Sequence, residues 1–168
     1  MTKLTFVAVV MATLGWGIPA AKADQPALIL ASASLGNTSS DAQISCLAKN
    51  IYWESRSESR TGQLAVAHVT VNRMVHPKFP STICDVVYQG DESKFGRCQF
   101  SWWCDGKSDQ PTEHRAWESA LKLAAAVVSR KHSDPTNGAL FFHHHKVRPH
   151  WAARKRLSAR IGKHLFYH

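Results

Sequence analysis

An α+β fold, mainly helical and forming a single domain with a small β-hairpin or sheet, is what this sequence predicts. Three observations lead there. Apolar residues recur at helical spacing in three separate segments. Strand-like runs are few and short, and they lie beside glycine- and proline-containing turns. The chain has 168 residues, and one domain usually takes about 100–200.

The first residues stand apart from that domain. Met1-Thr2-Lys3 is a short basic start, Leu4 to Ile18 is largely apolar, and Ala21-Lys22-Ala23 fits the small-x-small cleavage rule. This pattern predicts a secretory signal peptide over residues 1–23, in preference to an uncleaved anchor. The apolar run is short for a membrane span, which needs about 20 residues. No later stretch resembles one, so no membrane span is expected after cleavage. Residues 24–40 are small and polar and read as a flexible leader. Residues 41–168 remain for the folded domain, enough for one core.

Asp41 is placed to cap a helix running to about Ser57, with Ile44, Leu47, Ala48 and Ile51 as its apolar stripe. Thr61 starts a second helix. Leu64, Ala67, Val71 and Met74 lie on one side and Val66 and Val69 on another, so this helix is expected at the centre of the core. His76-Pro77 ends it. Residues 78–82 form a loop, and Ile83 to Tyr88 a short helix. The segment 89–109 is rich in glycine and aromatics and reads as irregular or as a small hairpin. Thr112 is expected to cap a third helix, with Trp117, Ala120, Leu121, Ala124 and Val128 as its stripe. Asp134 to Gly138 is a turn and Ala139 to Phe142 a short strand. The tail beyond reads as basic and irregular.

The formal net charge is +9. A basic exported protein meets a polyanion, a membrane surface or an anionic cell-wall polymer, although scattered charge is equally compatible with a merely solvated surface. No helix-turn-helix, RRM or zinc-finger pattern is present, so nucleic acid is not an expected partner. The four cysteines, Cys46, Cys84, Cys98 and Cys104, predict two disulfides with three possible connectivities. In one of these Cys98 and Cys104 close a small loop, leaving Cys46 for Cys84. No C-x2-C spacing supports zinc, and neither a metal nor a cofactor is expected.

Glu54 follows Tyr52 and Trp53 near the end of the first helix and falls on the flank of its apolar stripe. Partial desolvation there disfavours the charged carboxylate, and the negative end of the helix acts the same way. A carboxyl still protonated near neutral pH is what a glycosidase requires as general acid. By composition alone a solvated surface glutamate is the commoner outcome. Helical phase does not separate Glu54 from Glu58, which has Arg56 and Arg60 as surface partners.

Residues 46–77, CLAKNIYWESRSESRTGQLAVAHVTVNRMVHP, resemble the catalytic core of the SleB-type cell wall hydrolases, the spore-cortex-lytic enzyme family. The shared features are an aromatic-x-Glu run at Tyr52 to Glu58, Gly62 to Val66, and the pair Asn72-Arg73. FPSTICDVVYQ, CQFSWWCDG, DPTNGALFFHH and IGKHLFY follow in the family's order. The resemblance implies a lysozyme-like fold, cleavage of the MurNAc–GlcNAc bond in peptidoglycan glycan strands, and Glu54 as the catalytic acid. It leaves open a lytic transglycosylase or a hydrolase, with a lean to the former because no second acid stands out among Glu58, Asp91 and Glu92. Ser57 replaces a family glycine, which would be strained if that backbone required positive φ.

Arg56, Glu58 and Asn72 are expected to brace the site, with Arg73 beside Asn72. Gln99, Phe100 and Ser101, between two cysteines, are candidate sugar contacts, with Gln99 in the cleft and Phe100 and one tryptophan in the core. His143, His144, His145 and His150 raise a transition-metal reading. On a strand His143 and His145 share a face and His144 does not, so His143 is read as a structural or sugar-contacting residue. His68 is expected to be a hydrogen-bonded core histidine. The sequence thus predicts a monomeric periplasmic or extracellular enzyme acting on peptidoglycan. A non-catalytic glycan-binding protein of the same fold is the main alternative, followed by a nucleic-acid binder and a metal-dependent hydrolase.

Overall fold

The computed structural model describes residues 26–94 and 96–168. The signal peptide expected over residues 1–23 lies outside them. Four helices come first: α1 (Pro26–Ser55), α2 (Arg60–Val75), α3 (Ile83–Val87) and α4 (His114–Val128). Single 3-10 turns lie at Ser101–Cys104 and Ala152–Arg154. Three antiparallel strands complete the domain: β1 (Phe141–His144), β2 (Leu157–Ile161) and β3 (His164–Tyr167), in the order β1-β3-β2. Among the described residues no helix is long and apolar enough to cross a membrane.

The core is where the helical periodicities meet. Leu47, Ala48, Ile51 and Tyr52 of α1 are buried against Ala120, Leu123, Ala124 and Val127 of α4 and Val86 and Val87 of α3. The α4 stripe is turned slightly from its expected phase: Leu123 and Val127 are buried, while Leu121 and Val128 are only partly so. Helix α2 is buried continuously from Ala65 to Thr70, as an all-round apolar helix must be. One side of it meets the main core. Another packs Ala65, Val66 and Val69 on Ala139 and Phe166, joining the sheet to the helices.

Polar residues fix the register of this packing. Asn50 is fully buried; its side-chain nitrogen donates to Thr70 Oγ1 at 3.0 Å and its oxygen accepts from Trp102 Nε1 at 3.2 Å. One residue thus joins α1, α2 and the 101–104 turn, and its polar atoms are satisfied where leaving them unpaired would be costly. Disulfides join Cys46 to Cys84, with Cα atoms 5.2 Å apart, and Cys98 to Cys104, with Cα atoms 5.9 Å apart. The first ties α1 to α3 and the second closes a loop.

Several element boundaries differ from expectation, among them β1, which runs Phe141–His144 rather than Ala139 to Phe142. α1 is helical from Pro26 rather than Asp41, so backbone helix covers most of the segment read as a leader. α2 is capped by Ser59, whose hydroxyl accepts from Gly62 N at 3.3 Å, rather than starting at Thr61. α4 begins after Glu113 with no side-chain cap of its own. There the Tyr52 hydroxyl accepts the Thr112 and Glu113 amides at 3.2 and 3.1 Å, so a core residue does the work assigned to Thr112. The tail is not irregular: it supplies β2 and β3. A bulge between Leu157 and Ala159 interrupts the apolar alternation, and arginines mask what remains of it. The described part of residues 89–109 holds no strand, so the hairpin is C-terminal.

Candidate active site

The last turn of α1 ends in a cavity of about 280 Å³, and Glu54 forms part of its wall. The neighbours of Glu54 explain its place. Ile51 and Tyr52 anchor the turn in the core, and Ser55 Oγ folds back onto Ile51 O at 2.8 Å. Glu54 is then left on the flank of the apolar stripe, partly open to the cavity and otherwise surrounded by protein. Desolvation pushes its carboxyl pKa up to about 7 from the ordinary 4.5, against the pull of the nearby Arg73 charge. Among the described residues, it is the sole carboxylate lining this cavity.

Arg73 also lines the cavity and is almost fully buried. Its Nε donates to Leu140 O at 2.7 Å, and Nη1 and Nη2 both donate to the Gln99 side-chain oxygen at 3.1 Å. The guanidinium carbon lies 5.3, 5.5 and 5.8 Å from the ring centroids of Phe100, Phe79 and Phe141. Burial pushes the Arg73 pKa down to about 10, while Glu54 opposes the shift. It therefore keeps its charge at neutral pH. Arg73 thus ties α2 to the segment leading into β1 and to the disulfide loop.

The 98–104 loop contributes Gln99 and Ser101, both exposed at the cavity, and the buried Phe100 beneath them. Trp102 is buried and Trp103 is partly so, which gives the division between core and cleft that the loop's composition predicts. From the sheet come Phe142, His143, His144 and His164. His143 Nε2 bonds the Tyr167 hydroxyl and Nδ1 the His144 carbonyl, each at 3.0 Å, and its ring stacks on Tyr167. Both ring nitrogens are therefore engaged. His144 also reaches this cavity, while His145 lies with His143 along a neighbouring one. His164 is buried, its Nδ1 has no partner among the described residues, and burial pushes its pKa down.

Three expected bracing residues do not line the cavity. Asn72 donates to Asp134 Oδ2 at 2.8 Å and Ala139 O at 3.1 Å, so it secures the 134–138 turn. Arg56 bonds Glu113 at 2.8 Å on the surface and covers the Tyr52 and Trp53 rings. Glu58 pairs with neither Arg56 nor Arg60. Its buried carboxylate accepts Lys163 N at 3.1 Å, with Lys163 Nζ at 3.7 Å, and so holds the β2–β3 turn. Ser57 is not strained, since the described non-glycine residues with positive φ are Arg130 and Asn137. His68 is buried as expected, yet its Nε2 finds no partner among the described residues. Among the described residues no group of three or more His, Cys, Asp or Glu is gathered for a metal ion.

The sequence singles out Glu54 and Gln99, which both line this cavity; it gives Arg73 only a bracing part and does not single out His164, and these two line it as well. Arginine in an apolar helix is a signal, because a buried charge demands several partners at once. His164 had no comparable signal beyond its place in IGKHLFY.

The chain is similar to known cell-wall enzymes. A family model described as Cell Wall Hydrolase matches residues 57–167, starting just past Glu54. Spore cortex-lytic enzymes of Halalkalibacterium halodurans and Bacillus subtilis are each 29% identical over 128 residues, 76% of this chain and 35% and 38% of theirs. That of Bacillus cereus is 30% identical over 131 residues, 77% of this chain and 46% of its own. The chain thus spans less than half the length of these relatives. The crystal structure of the catalytic domain of the Bacillus cereus SleB protein aligns with TM-score 0.57 and 28% identity, covering 75% of this chain and 89% of that one. The catalytic domain of the germination-specific lytic transglycosylase SleB from Bacillus anthracis gives 0.58 and 29%, covering 75% and 93%. The fold is therefore that of the SleB catalytic domains, α+β with a lysozyme-like helical body and a small sheet.

Proposed function

The chain belongs to the cell wall hydrolase family, and from that premise we propose that it cleaves the MurNAc–GlcNAc glycosidic bond of peptidoglycan, with Glu54 as general acid. The observation that carries this reading is a carboxyl lining a cavity, largely surrounded by protein, where desolvation raises its pKa to about 7. Glu54 gives its proton to the bridging oxygen as positive charge develops at the muramic C1. Arg73 and Gln99, bonded to each other, form part of the cavity wall, while Ser101 and His164 offer polar atoms to the sugar.

With no second carboxylate among the described lining residues, water activation across the cleft has no evident base. The ionised Glu54 then accepts the proton of the sugar's own 6-hydroxyl. That oxygen attacks C1, leaving a 1,6-anhydro end and a reprotonated Glu54. The sequence of transfers is balanced with one group, which favours lytic transglycosylation over hydrolysis. The name borne by the Bacillus anthracis relative supports the same choice.

The setting proposed for this activity is the periplasm or cell exterior, with residues 1–23 removed as a signal peptide, residues 24–40 as a leader, and residues 41–168 acting as a monomer. Mass spectrometry of peptidoglycan digests tests the chemistry. Anhydro-muropeptides from wild type and none from Glu54→Gln are expected. Reducing ends instead would replace transglycosylation by hydrolysis, and equal products at equal rates from both proteins would refute the role of Glu54.

A further inference from the structure

The Glu54 cavity is continuous with a neighbouring pocket of about 590 Å³, because His143 and Val147 line both. The junction lies at the edge of the sheet. β1 pairs with β3 alone, and Val147, 52% exposed, stands just past its end. Beyond that edge the pocket rests on the sheet face that carries His143, Leu165 and Tyr167. The rest of its lining comes from the chain that follows β1, up to Ala153.

That chain is held in place. The Trp151 ring meets those of His143 and Tyr167 edge-on, with centroids 5.5 and 5.7 Å apart. Val147 N donates to His144 O and Ala152 N to Pro149 O, each at 3.0 Å. The pocket is therefore formed before a ligand arrives, and little ordering is left to oppose binding. Its charge is one-sided. His145, Arg148 and His150 line it, and no aspartate or glutamate does. Among the described residues Arg148 has no carboxylate within salt-bridge distance, and a guanidinium keeps its charge throughout the working pH range. A further pocket, of about 410 Å³, adjoins the cavity through Cys98 and Gln99, but it carries Arg97 as its one basic side chain among the described residues.

A cavity of about 280 Å³ encloses the groups at the reacting bond, so substituents of the sugar there continue into the space that adjoins it. In the glycan proposed above, the sugar whose C1 reacts carries an acidic lactyl arm. That arm ends in its own carboxylate or in a stem peptide bearing others. A planar guanidinium takes a carboxylate through two parallel hydrogen bonds. We infer that the pocket beyond His143 and Val147 binds a carboxylate borne by the muramic sugar at the bond being cut, with Arg148 as its partner. The assignment rests on the glycosidase reading and deepens it. Arg148 sets which strands are cut and is separate from the groups that cut them.

The test uses purified soluble strands in two forms, with intact stems and stripped by an amidase, each before and after its carboxylates are capped as methylamides. Wild type should cleave uncapped strands with kcat/KM about fivefold above capped ones, the effect of one partly exposed ion pair. Arg148→Gln should bring that ratio close to one, and Arg97→Gln, which removes the same charge from the other adjoining pocket, should leave it unchanged. A preference confined to stripped strands identifies the lactyl carboxylate as the ligand, and one confined to intact strands the stem. No preference in wild type, a preference kept by Arg148→Gln, or one lost equally in Arg97→Gln overturns the assignment. Cleavage of capped and uncapped strands at equal rates refutes the pocket alone and leaves the glycosidase reading intact. Calorimetric titration of the same strands into Glu54→Gln reads the pocket without cleavage. Capping that weakens binding by Glu54→Gln but not by Glu54→Gln/Arg148→Gln supports the assignment even if wild type cuts nothing, an outcome that would instead refute the glycosidase reading. Equal affinities for capped and uncapped strands overturn the pocket.

Discussion

Replacing Glu54 by glutamine should remove activity and, above neutral pH, stabilise the fold. The native carboxyl has its pKa at about 7, against 4.5 for an ordinary glutamate. Between those values the folded protein holds a proton that the unfolded chain releases. Stability from this group is therefore complete below pH 4.5 and is lost as pH rises through 7. At about 1.4 kcal/mol per pH unit between the two values, the loss totals on the order of 3 kcal/mol. Glutamine has nearly the same shape and does not titrate, so it escapes this loss. Urea denaturation of both proteins, disulfides intact, at pH 4 and pH 8 isolates the effect, because all other titrating groups are common to both. The variant's advantage should grow by about 3 kcal/mol from the lower to the higher pH, equivalent to roughly 10 °C in Tm for a domain of this size. A gap that stays constant with pH would show that the carboxyl is not desolvated and would remove the physical basis for its role as an acid.

Other consequences are separable. Wild-type cleavage should decline as pH rises through about 7, and Arg73→Met should move that decline to higher pH, since the arginine charge is what holds the Glu54 pKa down; a pH–rate profile that is unmoved or shifted to lower pH would refute the coupling. Gly162→Ala should cost about 1–3 kcal/mol in denaturant melts, because Gly162 has φ 57° and a Cβ there collides with Glu58 Oε2; an unchanged midpoint would mean the turn gives way freely. The two disulfides should divide their effects: Cys46→Ser/Cys84→Ser costs about 4 kcal/mol of stability and Cys98→Ser/Cys104→Ser about 2 kcal/mol from loop-closure entropy, but the second pair should suffer the larger fall in kcat, as it alone carries Gln99 and Ser101. The reverse order of activities at a temperature where both remain folded would count against the loop as a positioning device.

The helical part of the fold was legible because its signals are local. Ile44, Leu47 and Ile51 state the phase of α1, and that phase puts Glu54 on a flank. Why Glu54 rather than Glu58 is the cavity carboxyl was not legible from phase. It depends on helix α1 ending at Ser55, after which Glu58 turns to Lys163, more than a hundred residues away. The sheet was hidden for a different reason. Leu157 to Ile161 carries a bulge and an arginine, and its pairing partner β3 is recognisable only once Phe166 is seen against Val66 and Val69. Arg73 illustrates the same limit: the residue type and its helix were clear, but its partners at Leu140 and Gln99 come from two distant segments. Asn72, its neighbour, faces another way because adjacent helical residues differ by about 100°.

The strand order β1-β3-β2 has a consequence for synthesis. β3 is the central strand yet follows both of its partners in the chain. β1 and β2 do not pair with each other, so neither has a sheet to join until His164–Tyr167 has been made. A ribosome-bound chain lacking those residues already contains Glu54, but not His164, not the hydroxyl of Tyr167 that orients His143, and not a closed cavity. The cavity around the carboxyl is therefore completed last, in one step, when the final hairpin closes.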